Sequence, residues 1–119
     1  GVYMNYWGLS EHNKSFTNNI VMQNRSQDPA GTGGVVIDGA LRFRYNSIYE
    51  NTGIQLYNRN PAAGDTVHAE RCYWGTVSAA EIEAAVYDGE DDPALSRVDY
   101  RPVAGSSREA VSRVDLEDE

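Results

Sequence analysis

A repeated pattern of asparagine and apolar residues is the feature of this sequence that most constrains its fold. Residues 46–51 and 19–24 both read Asn, any residue, an aliphatic residue, two more residues, Asn. Residues 70–75 keep this frame with Cys72 at the apolar position and without the asparagines. The apolar positions are therefore 27 and then 24 residues apart. Self-similarity at this period is typical of stacked repeats, in which each unit buries its apolar face against the next.

A second pattern accompanies the first. Residues 1–4, 34–37 and 53–56 each read Gly, apolar, variable, apolar. Alternation with a period of two predicts short strands that bury one face. Each repeat would then be one coil of a solenoid, with two such strands.

The asparagines predict hydrogen-bonded ladders between coils. An Asn side chain tolerates left-handed backbone geometry and bonds to neighbouring main chain, so it suits the end of a strand. Stacking of the coils would place Asn19 against Asn46 and Asn24 against Asn51.

These motifs resemble the right-handed parallel β-helix repeat of the pectate-lyase-like superfamily. Residues 69–76 (Ala-Glu-Arg-Cys-Tyr-Trp-Gly-Thr), 91–93 and 98–103 are similar to the closing coil and C-terminal cap of secreted β-helix domains. The family often carries Asn-Tyr/Trp-Trp-Gly-Thr there, and this chain has Arg71-Cys72 where the Asn is usual. The resemblance implies an all-β fold, a right-handed parallel β-helix of about three coils with a short C-terminal capping helix and strand.

The chain divides into three parts on this interpretation. Residues 1–77 are the coils, residues 78–104 the cap, and residues 105–119 an acidic tail or linker. The chain starts inside the pattern, at the glycine of a second strand, so we expect a fragment or a processed piece of a longer protein.

The cap is expected to begin with a helix. Ser78 and Glu81 form a capping box, which predicts a helix that runs to about Tyr87. Ile82, Ala85 and Val86 share one face of it, and we expect that face to cover the open end of the last coil. 

Charge excludes some classes of partner. The formal net charge is −8. Residues 1–75 contain six acidic and six basic side chains, whereas residues 76–119 contain twelve and four. This balance argues against a nucleic-acid or anionic-membrane surface. No stretch has the apolar length of a membrane span, so membrane insertion is not expected.

The single cysteine excludes an intrachain disulfide. Cys72 occupies a core position of its repeat, which favours a buried small hydrophobe over a reactive thiol.

One acidic run resembles a calcium loop. Asp88, Glu90 and Asp92 have its 1-3-5 spacing, with Asp99 at position 12, but Pro93 stands where an EF-hand needs glycine. A solvated turn after the helix explains the same residues. We therefore expect no cofactor, with Ca²⁺ as the alternative.

A third interpretation of the sequence is a copper-handling protein. The histidines and sulfur residues that could suggest it are His12, His68, Met4, Met22 and Cys72. The sequence has no His-x-His or Met-x-x-Met cluster, so surface histidines are favoured over a metal-handling periplasmic protein.

The aromatic residues are the candidates for ligand binding. In the repeat frame Tyr49 and Tyr73 each follow a core position, so they should point outward on adjacent coils. Exposed aromatic rings flanked by Arg and Asn are a common way to bind sugar rings. The candidate contacts are Tyr49, Tyr73, Trp74, Tyr57 and Trp7. Aromatic stacking that only shields a sheet, or a subunit contact, explains the same pattern.

No catalytic residues are evident. Asp38, Glu50, Asp65 and Glu70 form no clear pair, and a catalytic groove needs several coils. We expect a non-catalytic, secreted or cell-surface β-helix module that is structural or adhesive and binds glycan or itself. Self-association would use the uncapped N-terminal coil, unless upstream coils cover it. The alternative is the C-terminal portion of a secreted polysaccharide lyase or glycoside hydrolase whose catalytic coils lie upstream.

Overall fold

The computed structural model describes residues 2–5, 15–27, 31–38, 42–63 and 66–111. These residues form eight short strands and two short helices. The elements in chain order are β1 (Val2–Asn5), β2 (Ile20–Met22), β3 (Val35–Asp38), β4 (Ser47–Tyr49), β5 (Leu56–Asn58), β6 (Val67–His68), α1 (Ala79–Ala85), β7 (Val86–Tyr87), β8 (Val98–Asp99) and α2 (Ser107–Val111).

The strands form three parallel sheets. The largest has the order β1-β3-β5-β7, and the others pair β2 with β4 and β6 with β8. Every pair of named strands runs parallel. Successive strands of the chain never pair with each other, so each link carries the chain from one sheet to another. The protein is therefore strand-rich, with few helices and mostly parallel strands.

The first two repeats lie in the predicted register. β2 pairs with β4 so that Val21 lies beside Ile48, and both side chains are buried. The rings of Phe16 and Phe43, also one repeat apart, stack with their centroids 5.4 Å apart. The apolar positions of neighbouring repeats thus form continuous rows in the core.

The third repeat does not lie in the predicted register. Ser47 forms a parallel bridge with Tyr73, which aligns Trp74 with Ile48 and Cys72 with Asn46. The prediction that Cys72 occupies the apolar position is therefore wrong by two residues. The bulky Trp74 fills the core row, with only 3% of its surface exposed, and the smaller thiol takes the asparagine site.

Left-handed residues mark the corners of the chain. Asn18, Tyr45 and Arg71 have φ angles of 61°, 60° and 62°, and Gln23 and Glu50 both have 57°. Each of these residues except Arg71 directly precedes an asparagine of the repeat. The repeat asparagines Asn19, Asn24, Asn46 and Asn51 do not have positive φ. The residue before each of them makes the left-handed turn, so tolerance of this geometry is not what places asparagine at these positions.

The glycine-led strands differ from prediction in one place. β1 and β3 pair in the expected register, with Val2 beside Val35. β3 and β5 are shifted by two residues, since Val35 lies beside Leu56 rather than Ile54. A Cβ on Gly34 would lie 2.0 Å from the carbonyl oxygen of Gln55. The neighbour that Gly34 contacts is therefore Gln55, and this close approach requires glycine.

The helix predicted from Ser78 begins as expected and ends earlier than predicted. The Ser78 side chain accepts a hydrogen bond from the Glu81 amide at the start of α1, and Ile82 is fully buried. The helix ends at Ala85, and Val86 and Tyr87 form strand β7 against β5. The prediction of helix to Tyr87 is wrong, because Val86 continues the buried row of Leu56.

Part of the expected tail is folded onto the protein. At the start of α2, the Glu109 amide donates to the Ser106 hydroxyl, and the Glu109 carboxylate accepts a hydrogen bond from the Gly105 amide. Ala110 is 1% exposed, and the Val111 carbonyl accepts a hydrogen bond from the Asn18 side chain. The rest of the acidic tail, residues 112–119, lies outside the described residues.

Candidate functional site

The outer face of the four-stranded sheet carries a row of aromatic side chains. Strand register aligns Tyr3 of β1, Val36 of β3, Tyr57 of β5 and Tyr87 of β7. Of their strand neighbours, Val35, Ile37, Leu56 and Val86 are buried and so point inward. Because side chains alternate between the two faces of a strand, these three tyrosines and one valine form a row on the outer face of the sheet.

Val36 lies at the base of a groove between two tyrosines. The groove has a volume of about 440 Å³ and is lined by Tyr3, Thr32, Val36, Tyr57 and Arg59. Tyr3 and Tyr57 are two strands apart, or roughly 9.5 Å. The half-thicknesses of two facing rings take up about 3.5 Å of that distance. The remaining ~6 Å would accept one flat ring between the tyrosines.

One edge of the groove is polar. The Tyr3 hydroxyl donates to Asp38 Oδ2 at 3.0 Å, which holds the exposed ring of Tyr3 in place. The hydrogen bond to Asp38 raises the pKa of Tyr3, because it favours the protonated hydroxyl that donates it. The Arg59 amide donates to the Ile37 carbonyl, so Arg59, which directly follows β5, lies beside Asp38 at the end of β3. A ligand in the groove would therefore lie against Arg59, with Asp38 next to it.

Tyr87 supports the wall of the groove. Its ring stacks on that of Tyr57 with a centroid distance of 4.8 Å and an interplanar angle of 21°. Desolvation raises the pKa of Tyr87, and nearby Asp92 adds to the effect. The stack covers one face of Tyr57 and leaves the face toward Val36 for the groove. Sequence reasoning missed Tyr87 because it was assigned to the end of a helix.

The other predicted aromatic contacts are dispersed. Tyr49 and Tyr73 meet edge to face, with centroids 5.6 Å apart, on the face of the β2–β4 sheet. Tyr73 aligns with Ser47, so the predicted alignment of Tyr73 with Tyr49 is wrong. Trp74 belongs to the core and offers no surface for a ligand. Trp7 lies outside the described residues. Of the predicted contacts that the structure describes, Tyr57 alone lines the groove.

The asparagine pairs are hydrogen-bonded between repeats. Asn46 Oδ1 accepts from the Asn19 amide at 3.0 Å and from Asn19 Nδ2 at 3.3 Å. Asn51 Oδ1 accepts the same two bonds from Asn24, at 3.0 and 2.9 Å. Two ladders therefore bracket the β2–β4 sheet, one at each end of its strands.

Cys72 continues the first of these ladders. Its thiol donates to the Phe43 carbonyl at 3.0 Å, as Asn46 Nδ2 donates to the Phe16 carbonyl at 2.6 Å one repeat earlier. Burial raises the pKa of Cys72 to about 12. A thiol in this environment stays protonated and does not act as a nucleophile at neutral pH.

The carboxylates of the proposed calcium loop are engaged by the protein itself. Asp88 accepts the amides of Val98 at 2.7 Å and Glu90 at 3.1 Å, while Asp92 accepts the Ala94 amide. Burial raises the pKa of Asp88. Glu90 forms an ion pair with Arg97. This arrangement is a hydrogen-bonded turn, and within the described residues these three carboxylates do not converge on a common point.

A different set of ionisable groups does converge. His68, Glu70 and Asp99 offer ligand atoms that all lie within 4.8 Å of one another. Glu70 Oε2 is 3.1 Å from His68 Nδ1, and Glu70 Oε1 is 3.2 Å from Arg44 Nε. Burial alone would raise the pKa of Glu70, but hydrogen bonds from its backbone amide, His68 and Arg44 outweigh it and lower the pKa.

Compared with protein-family models, curated proteins and solved structures, the chain matches none. Neither helix of the described residues has the length and apolar character needed to cross a bilayer. 

Proposed function

We propose that this chain is a segment of a right-handed parallel β-helix that acts as a non-catalytic, extracellular glycan-binding module. The solenoid is supported by the step between aligned residues, 27 from Ser15 to Arg42 and 26 from Arg42 to His68. Parallel pairing, left-handed corners at matching positions and asparagine ladders between repeats also support it. In such a solenoid the outward row of each sheet forms a long, exposed surface.

The groove between Tyr3 and Tyr57 is the observation that carries the glycan proposal. Tyrosine rings present flat apolar faces to the C–H face of a sugar, while hydroxyls of the sugar need polar partners at the rim. Thr32 lies in the groove, and Asp38 and Arg59 lie together at one end of the neighbouring strands. A gap of about 6 Å suits a single pyranose ring.

A neutral sugar fits this site better than a strongly anionic one. Asp38 stands beside Arg59, so the two charges at the rim oppose each other, and the whole chain carries a net charge of −8. One ring between two tyrosines has few contacts, so each site is expected to be weak, with a Kd on the order of 1 mM for a monosaccharide. Longer chains would gain from contacts along the sheet.

Calorimetric titration with a panel of neutral oligosaccharides tests the proposal. Tyr3→Ala and Tyr57→Ala should each weaken binding by about tenfold, because each removes one wall of the groove. Tyr73→Ala is the matched control, since it removes a tyrosine from a different sheet. Affinity that is unchanged in both groove variants, or that is lost in the control alone, would contradict the proposed site. Cleavage of the bound sugar would contradict the proposal that the module is non-catalytic.

A further inference from the structure

The cluster of His68, Glu70 and Asp99 lies on the outer face of a different sheet from the groove. β6 and β8 pair in parallel so that His68 lies beside Asp99. Glu70 follows His68 by two residues and reaches the same side of the sheet, as its contact with the imidazole shows. Strand register thus brings together one imidazole and two carboxylates from distant parts of the chain.

The distances within the cluster suit one metal ion. Ligand atoms about 2.1 Å from an ion lie roughly 3.0 to 3.4 Å apart when they are neighbours in octahedral or tetrahedral geometry. His68 Nδ1 and Glu70 Oε2 are 3.1 Å apart. Asp99 lies within 4.8 Å of both, and it is exposed, so rotation of its side chain can close the remaining distance.

Two of the three side chains are already held in place. The side chains of His68 and Glu70 are 36% and 14% exposed. Arg44 binds Oε1 of Glu70 and so directs Oε2 toward the imidazole. An outer hydrogen bond that orients a ligating carboxylate is a regular feature of metal sites. The ion would replace the hydrogen bond between His68 and Glu70 without disturbing the contact with Arg44.

We propose that His68, Glu70 and Asp99 bind one divalent transition-metal ion of the Zn²⁺ type. An imidazole nitrogen with two carboxylate oxygens suits Zn²⁺, whereas Ca²⁺ and Mg²⁺ prefer oxygen ligands alone. The two carboxylates neutralise the charge of the ion. Arg44 and Arg42, which is paired with His68 in the sheet, oppose it, so a Kd on the order of micromolar is expected.

Binding of Zn²⁺ to the metal-free protein, measured by calorimetry in the presence and absence of a competing chelator, tests the proposal. The native protein should bind one equivalent. Asp99→Asn should weaken binding by at least about tenfold, because it removes an anionic ligand at an exposed position. His68→Ala should abolish binding. Co²⁺ added in place of Zn²⁺ should give a visible absorption spectrum that Asp99→Asn alters.

The control is His12→Ala, which removes the other histidine of the chain. This variant should bind Zn²⁺ as the native protein does, and thermal unfolding should show that all variants are folded. No binding by the native protein, or an affinity that Asp99→Asn leaves unchanged, overturns the proposal. Loss of Zn²⁺ binding in His12→Ala also overturns the proposal. The result is independent of the glycan proposal, since Tyr3→Ala and Tyr57→Ala should leave Zn²⁺ affinity unchanged.

Discussion

Replacement of Asn46 by alanine should destabilise the protein far more than replacement of its partner Asn19. Asn46 is fully buried, and its side chain takes part in hydrogen bonds on both sides. Its Oδ1 accepts from the amide and the side chain of Asn19, and its Nδ2 donates to the carbonyls of Phe16 at 2.6 Å and Phe43 at 3.0 Å. Asn19 is only half-buried, and its side chain donates to the Thr17 carbonyl and to Asn46.

The magnitude follows from these contacts. Each buried hydrogen bond between neutral groups contributes about 1 kcal/mol, and a buried group left without its partner costs about 1–3 kcal/mol. Loss of the four bonds of Asn46 should therefore lower the free energy of unfolding by roughly 3–4 kcal/mol. At about 2.1 cal/mol/K per residue this corresponds to a fall in Tm of about 14 °C. Asn19→Ala should cost only about 1 kcal/mol.

Urea unfolding followed by circular dichroism measures both variants. Asn46→Asp supplies a second test, since it keeps the acceptor oxygen, loses both donors and places a charge against two carbonyls. It should be at least as destabilising as Asn46→Ala at neutral pH. If Asn46→Ala loses no more stability than Asn19→Ala, the ladder does not hold the repeats together as described.

Three further substitutions probe other parts of the fold. Ser47→Ala should leave the free energy of unfolding unchanged or raise it by about 1 kcal/mol, because the Ser47 hydroxyl is buried and has no hydrogen-bond partner among the described residues. A fall in the free energy of unfolding above ~1 kcal/mol in urea unfolding would contradict this. Gly34→Ala should cost at least about 2 kcal/mol in the same assay, since its Cβ would lie 2.0 Å from the Gln55 carbonyl; a neutral effect would place β3 and β5 in a different register. Because the pKa of Glu70 is lowered from 4.5, its ionised form stabilises the fold above pH 4.5, and this contribution is lost as pH falls through the lower folded-state pKa. Glu70→Gln should therefore be less stable than the native protein at pH 6 and approach it near pH 3, and a constant difference across this range would refute the role of Glu70.

Parts of the fold could be predicted because local chemistry repeats along the chain. Asn19 and Asn46 stand in the same frame, and the structure pairs them at the predicted step. The third repeat could not be aligned, because Cys72 replaces asparagine and the link before it is one residue shorter. Sequence patterns treat cysteine as an apolar residue. Here the Cys72 thiol instead donates a hydrogen bond from the position that asparagine occupies in the other repeats.

The two candidate sites depend on register between distant strands, which local patterns do not specify. The groove needs the two-residue shift that brings Tyr57 beside Val36, and the metal-ligand cluster needs His68 of β6 beside Asp99 of β8. Tyr87 was missed because Ile82 and Val86 have helical spacing, and the chain turns into a strand only where Val86 meets Leu56.

A titration of ¹⁵N-labelled protein with neutral oligosaccharides, followed by two-dimensional NMR, tests the proposed glycan site most directly. The largest and saturable shifts should fall on the amides of Thr32, Val36 and Tyr57, which line the groove. The amides of Tyr49 and Tyr73, on a different sheet, should not move. Shifts that cluster on that other sheet, or no shifts at about 10 mM sugar, would contradict the proposal that this groove binds a sugar ring.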